Sequence, residues 1–276
     1  MNRRSFLQTT AAAMVAGRGI RLRPAQRLGP LGVQLYTLRS VMSQGMDTVL
    51  SRVAAIGYTQ VEFAGYFDHT PQEIRAMLDR HGLVAPSSHL ALGDLEKDPA
   101  PIFEASRVIG LEYLTTPWIP AERRKTLDDW RRVADAFNAI GKAAKRAGFK
   151  FAFHNHDYEF QPVSGTIPYD VLLTHTDPEL VNFEMDIYWI VKGGQDPLAY
   201  FARYPGRFPM LHLKDMAASA GHGFADVGQG TIDFPPIFRH AGPAGVRYYF
   251  VENDQPAGSP YDSVRVSYEY LRRLTF

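Results

Sequence analysis

Four stretches decide the fold: FAFHNHDYEF at 151–160, VNFEMDIYW at 181–189, FPMLHLKD at 208–215 and YYFVENDQ at 248–255. Each is an apolar run with ionisable residues at its C-terminal end. Counted on His154, Asp186, His212 and Glu252, they recur at intervals of 32, 26 and 40 residues. That spacing is near one strand-loop-helix-loop unit, and such units close into a parallel barrel with its chemistry at the C-terminal mouth. Two histidines, an aspartate and a glutamate converging there would make a divalent-metal site.

Side-chain parity within the strands supports a closed barrel, because successive strand residues point to opposite faces and one face is the interior. Val181, Phe183, Met185 and Ile187 share one parity, and Asn182, Glu184 and Asp186 the other. Phe149, Phe151 and Phe153 alternate with Lys150, Ala152, His154 and His156; His212 and Lys214 alternate with Leu211 and Leu213. Glu252 and Asp254 share the parity of Phe250, Glu62 opposes Val61 and Phe63, and a third strand ends at His89. Polar groups inside a barrel are costly unless paired or bound to metal, so this many on one parity marks a site. Glu184, one layer deeper, reads as a structural residue paired with Lys150. His69, His81, His175, His222 and His240 read as surface residues.

Outward from these stretches, strand and helix patterns alternate along the whole chain. Strands are expected at Gly32–Tyr36, Tyr58–Ala64, 83–89 and 112–116 before the four quoted. Helices are expected at 46–56, after Thr70-Pro71 with its N-cap and first-turn proline, and at 100–109, 122–147, 167–175, 196–203, 233–241 and 260–273. The reading is an α/β protein, one (β/α)8 TIM barrel domain over residues 30–276. No Gly-rich phosphate loop follows the first strand, which weighs against a dinucleotide-binding fold.

Composition agrees. A chain of 276 residues with 45% hydrophobic content can fill one such barrel, and 30 basic against 29 acidic residues give no field that would attract nucleic acid. No apolar run approaches the roughly 18 residues of an integral membrane span. Residues 1–16 read MNRRSFLQTTAAAMVA, with Arg3 and Arg4 adjacent before a short Ala-rich stretch. That order resembles a twin-arginine export signal, so residues 1–29 are expected to be a leader and the protein periplasmic or secreted.

At this point the motifs carry a family resemblance. GVQLYTLR, GYTQVEFAGY, FHNHDYEF, Asp186-x-x-Trp189 with Gly-Gly-Gln-Asp-Pro at 193–197, LHLKD, DVGQGTIDF at 226–234 and VEND occur in order. They resemble the xylose-isomerase-like sugar phosphate isomerase and epimerase superfamily, over about residues 30–276. The resemblance implies a barrel dependent on Mn, Mg, Co or Zn, with ligands at the ends of strands five to eight. Its strand-six Asp, strand-seven His and strand-eight Glu map onto Asp186, His212 and Glu252.

One position departs from the family: His154 stands where sugar epimerases carry a glutamate that also moves a proton. Two-base epimerisation commonly needs two carboxylates, and only Glu252 is an obvious one among the ligands. The primary expectation is a metal-dependent sugar isomerase or epimerase that abstracts a proton next to a carbonyl. The alternatives are a keto-sugar or inosose dehydratase-type enzyme or 3-keto-glycoside lyase, and a periplasmic sugar-binding protein without catalysis. Glu252, His156 or Lys214 is expected as the base, with Lys214 also able to hold an enediolate oxygen. Glu62 and His89 are expected across the mouth as substrate contacts, with Tyr36, Trp118, Tyr188 and Trp189 as an apolar wall. The substrate is a small sugar or keto-sugar, and an abasic-DNA nuclease is disfavoured by the balanced charge.

Overall fold

The computed structural model describes residues 26–276, so the Arg3-Arg4 leader lies outside the described residues. Eight parallel strands close on themselves: β1 (Gly32–Gln34), β2 (Gln60–Phe63), β3 (Val84–His89), β4 (Tyr113–Thr116), β5 (Lys150–His154), β6 (Val181–Asp186), β7 (Met210–Leu213) and β8 (Tyr248–Val251). Each pairs with its sequence neighbour, and β1 closes the ring on β8 through Gly32 opposite Phe250 and Val33 opposite Val251. With helices around it, this is the expected single-domain (β/α)8 TIM barrel.

The surrounding helices are α1 (Met46–Ile56), α2 (Pro71–His81), α3 (Leu92–Lys97), α4 (Ala100–Ile109), α5 (Leu127–Ala147), α6 (Pro168–His175), α7 (Ile187–Lys192), α8 (Pro197–Arg203), α9 (Phe234–Ala244) and α10 (Pro260–Arg273). Helix α2 starts where Thr70 and Glu73 cap each other's backbone and ends on left-handed Gly82. Helix α5 starts at Leu127 rather than 122, because Thr126 and Asp129 form the capping box there after a 3-10 turn at Ala121–Arg123.

Other departures lie at the strand ends. Strand β1 stops at Gln34 instead of reaching Tyr36, since the Gln34 side chain accepts the Tyr36 N–H at 3.0 Å and turns the chain into a 3-10 run, Leu35–Gln44. Helices α3 and α7 and a two-stranded ribbon of Asp215–Met216 with Phe224–Ala225 have no counterpart in the sequence reading. All are short elements at the mouth, where apolar periodicity has too few residues to register.

Apolar strand residues such as Val181, Phe183 and Met185 are fully buried in the layer between barrel and helices. Inside the barrel, Tyr113, Ala152, Met210 and Phe250 form a separate apolar floor. Gly32 is required there, for a Cβ would sit 2.4 Å from Phe250 Cδ1. Above the floor the interior turns polar: Gln34, Glu62, Ser87, Thr115, Glu184 and His212 are all wholly buried.

Candidate active site

Strand β6 carries Glu184 and Asp186 on the interior face, two residues apart. Glu184 Oε2 lies 3.0 Å from His89 Nε2 (β3), 3.2 Å from His154 Nδ1 (β5) and 3.1 Å from His212 Nε2 (β7). The expected pairing of Glu184 with Lys150 is therefore wrong. Lys150 is exposed at the opposite end of the barrel and pairs with Glu112 at 2.8 Å; strand parity alone does not say at which end a side chain finds its partner.

His212 is gripped on both sides, with Nδ1 2.8 Å from Glu252 Oε2 and Nε2 2.6 Å from Glu62 Oε2. Burial opposes its charge, but Glu184, Glu252 and Glu62 together hold its pKa well above the ordinary value. His154 goes the other way: burial, reinforced by the charge on His212, lowers its pKa to about 3 and keeps the ring neutral. His156 is likewise held well below its ordinary value by burial and then by His154 and Lys214.

Lys214 follows strand β7 and is 1% exposed. Its Nζ lies 2.9 Å from Asp186 Oδ2, 2.7 Å from Glu252 Oε2 and 3.0 Å from Asp254 Oδ1. Burial works against its charge, but the three carboxylates raise its pKa far beyond the ordinary value. The ammonium is permanent and has no lone pair to take a proton. Asp254, which the sequence placed only by parity, completes this cage.

These groups open onto a cavity of about 640 Å³. His89, His154, His156, Lys214, Glu252 and Asp254 form its polar end, and Leu90, Leu92, Pro117 and Trp118 an apolar wall. Tyr36 and Trp118 line it as expected and are 42% and 48% exposed. Glu62 and Trp189 do not line it. Glu62 is wholly buried, accepting from Gln34 and Ser87 as well as His212, and Trp189 packs behind His156 with ring centroids 5.3 Å apart. Tyr188 is buried too, its hydroxyl donating to the His222 carbonyl. His69 lies at the surface as expected, whereas His81 is largely covered and bonds Asp47 at 2.9 Å.

The loop after β5 is fixed from below. Glu159 is buried and accepts the His156 backbone N–H at 2.9 Å, which sets where the His156 ring stands. Burial pushes this carboxyl up to about 8, with the backbone donors pulling only partly against it.

The residues fit a divalent metal ion. His154, Asp186, His212 and Glu252 each offer a ligand atom, all within 4.8 Å of one another. Asp186 Oδ1 is used to cap α7 through the Trp189 N–H, whereas Oδ2 is buried and faces the Lys214 ammonium at 2.9 Å. A neutral imidazole at His154 and a carboxylate oxygen not engaged by the backbone are donor states such an ion needs.

Comparison with known proteins agrees with the fold. A family model described as xylose isomerase-like TIM barrel matches residues 50–274. An inosose dehydratase of Geobacillus kaustophilus is 26% identical over 271 residues, covering 83% of this chain and 87% of that protein. The crystal structure of a sugar phosphate isomerase/epimerase from Parabacteroides distasonis superposes with a TM-score of 0.75 at 31% identity, covering 91% of this chain and 96% of that one. The IOLI protein, solved with a zinc atom bound, shares the fold at a TM-score of 0.70 and 14% identity, over 87% of this chain and 96% of that one.

Proposed function

The chain belongs to the xylose isomerase-like TIM barrel family and is a sugar-acting enzyme, and from that premise we propose a lyase of the inosose dehydratase type. It removes the proton next to the carbonyl of a keto-sugar or keto-cyclitol and expels the β-hydroxyl as water. The observation that carries this reading is the distribution of acid–base groups around the cavity. Its two carboxylates, Glu252 and Asp254, stand at one strand end and are both tied to Lys214. The β5 side presents the neutral imidazoles of His154 and His156 instead. Opposed carboxylates on the two faces of one carbon, the usual equipment of an epimerase, are missing from the described lining.

A divalent cation held by His154, Asp186, His212 and Glu252 supplies, when bound, Lewis-acid polarisation of the substrate carbonyl. Neutral His156 then takes the α-proton and returns it to the departing hydroxyl, so that proton and water balance. Lys214 donates to the oxygen on which charge develops, a fixed cation aimed at the transition state. Glu252 and Asp186 hold Lys214 in place, and Trp118 and Tyr36 offer their faces to the ring. Among the described lining residues the one permanent cation is Lys214, already shared by three carboxylates, which favours a substrate without phosphate. Export by the expected leader, with action in the periplasm, is proposed with it.

The isomerase or epimerase reading stays second, on the strength of the 31% identical Parabacteroides protein of that name. Incubating metal-loaded protein with keto-cyclitols and keto-glycosides in deuterated water separates the two. A conjugated enone absorbing in the ultraviolet supports the lyase. Epimeric product carrying deuterium, with no enone, overturns it.

A further inference from the structure

We propose that the chain holds a second cation site beneath the first, formed by His89, His154, Glu184 and His212, and that this inner site takes zinc-class ions. Three imidazole nitrogens surround one carboxylate oxygen, Glu184 Oε2, at 3.0, 3.2 and 3.1 Å, and the four ligand atoms lie within 4.8 Å of one another. Ligands on a tetrahedral ion with bonds of about 2.0–2.1 Å are spaced about 3.3 Å apart. The three nitrogens already keep nearly that distance from the carboxylate.

The hydrogen bonding points the same way. His154 is 2% exposed, yet its Nδ1 is buried without a hydrogen bond, the 3.2 Å contact with Glu184 Oε2 being misaligned for donor and acceptor. Two ligands on one ion stand side by side in just this manner. Glu184 Oε1 is orphaned as well. A network serving only to hold the barrel together would be expected to satisfy such groups.

His154 and His212 turn opposite nitrogens to the two sets. His154 directs Nδ1 to Glu184 and Nε2 towards Asp186 Oδ2 at 3.9 Å; His212 directs Nε2 to Glu184 at 3.1 Å and to Glu62 at 2.6 Å, the latter a hydrogen bond that an inner ion displaces, and Nδ1 to Glu252 at 2.8 Å. An imidazole that binds a metal gives up any second proton and has one lone pair, so an ion in either site leaves the ring proton on the nitrogen that faces the other. The two sites exclude each other, and one ion is bound per chain. Three nitrogens and one oxygen suit zinc, cobalt or nickel, whereas the outer set of two imidazoles and two carboxylates is better matched to manganese or magnesium. His89, which lines the cavity with a side chain 10% exposed, gives the inner site its path to solvent.

The test uses metal-free full-length protein titrated calorimetrically with Zn2+ and, separately, Mn2+, in the wild type and in His89→Gln, Glu184→Gln and Asp186→Asn. The first two variants should weaken Zn2+ binding by more than about 100-fold, beyond the roughly 10- to 100-fold that loss of a supporting hydrogen-bond partner costs. His89→Gln should leave Mn2+ affinity unchanged. Asp186→Asn, which keeps the α7 cap, should lose Mn2+ and retain Zn2+, and its Co2+ form should show the intense visible bands of four-coordinate cobalt. Zinc held by His89→Gln and Glu184→Gln as by the wild type, or zinc and the cobalt bands lost in Asp186→Asn, overturns the inner site and places the ion in the outer set. A wild type that binds no zinc overturns it too. The inference does not rest on the proposed reaction: failure of the outer site would appear separately, as Mn2+ affinity indifferent to Asp186→Asn.

Discussion

Replacing Glu159 by glutamine should remove a pH dependence of stability that the wild type carries. The carboxyl is wholly buried beneath the cavity, with one oxygen accepting the His156 N–H at 2.9 Å and the other unpartnered. Its pKa is raised from the ordinary 4.5 to about 8, first of all by burial. A raised folded-state pKa favours the protonated form, so the stabilisation is fully present below about 4.5 and lost as pH climbs through about 8. At about 1.4 kcal/mol for each tenfold change, that interval is worth on the order of 5 kcal/mol. In Glu159→Gln the amide oxygen can keep the bond to His156 while its NH2 group meets no partner, a cost of about 1–3 kcal/mol that does not vary with pH. The variant should be the less stable protein at pH 5 and the more stable at pH 9. Urea unfolding at a series of pH values measures the difference directly. A difference that stays constant between pH 5 and 9 refutes the reasoning, because the carboxyl would then titrate alike in the folded and unfolded chain.

Three further outcomes follow from the same geometry. Lys214→Met should lower kcat and kcat/KM together by about 100- to 1,000-fold, as loss of a donor to developing charge does, and slow α-proton exchange with deuterated solvent, with thermal melting as the control for folding; a raised KM alone would make Lys214 a mere substrate contact. Gly32→Ala should cost about 1–3 kcal/mol in urea unfolding by forcing a methyl group onto the Phe250 ring, and a neutral result would show that the barrel floor can yield. Residues 1–30 fused to a folded reporter should direct its export, and Arg3→Lys with Arg4→Lys should abolish it; export that persists in the double variant rules out the twin-arginine route.

Period-2 patterns in β5 and β6 and capping residues such as Thr70 were sufficient to place the strands, most helices and the closed barrel, because burial of one strand face and satisfaction of a helix end are local demands that leave local marks. The same alternation picked out His154, Asp186, His212 and Glu252, since an interior-facing charge at a strand end is costly wherever the rest of the chain goes. What each charge faces was another matter. Glu184 reads in the sequence as a structural residue, and only closure of the barrel brings three imidazole nitrogens around it, from strands 28 to 95 residues away in sequence. Lys214 was legible as a candidate base, but the three carboxylates that fix it as a permanent cation come from two other strand ends. Glu62 sits on the right face for a substrate contact and yet lies below the cavity, under His212. Which residues turn inward is written in the strand alternation; their depth, their partners and hence their charge arise only when the barrel closes, because electrostatic energy depends on distances that no single strand can set.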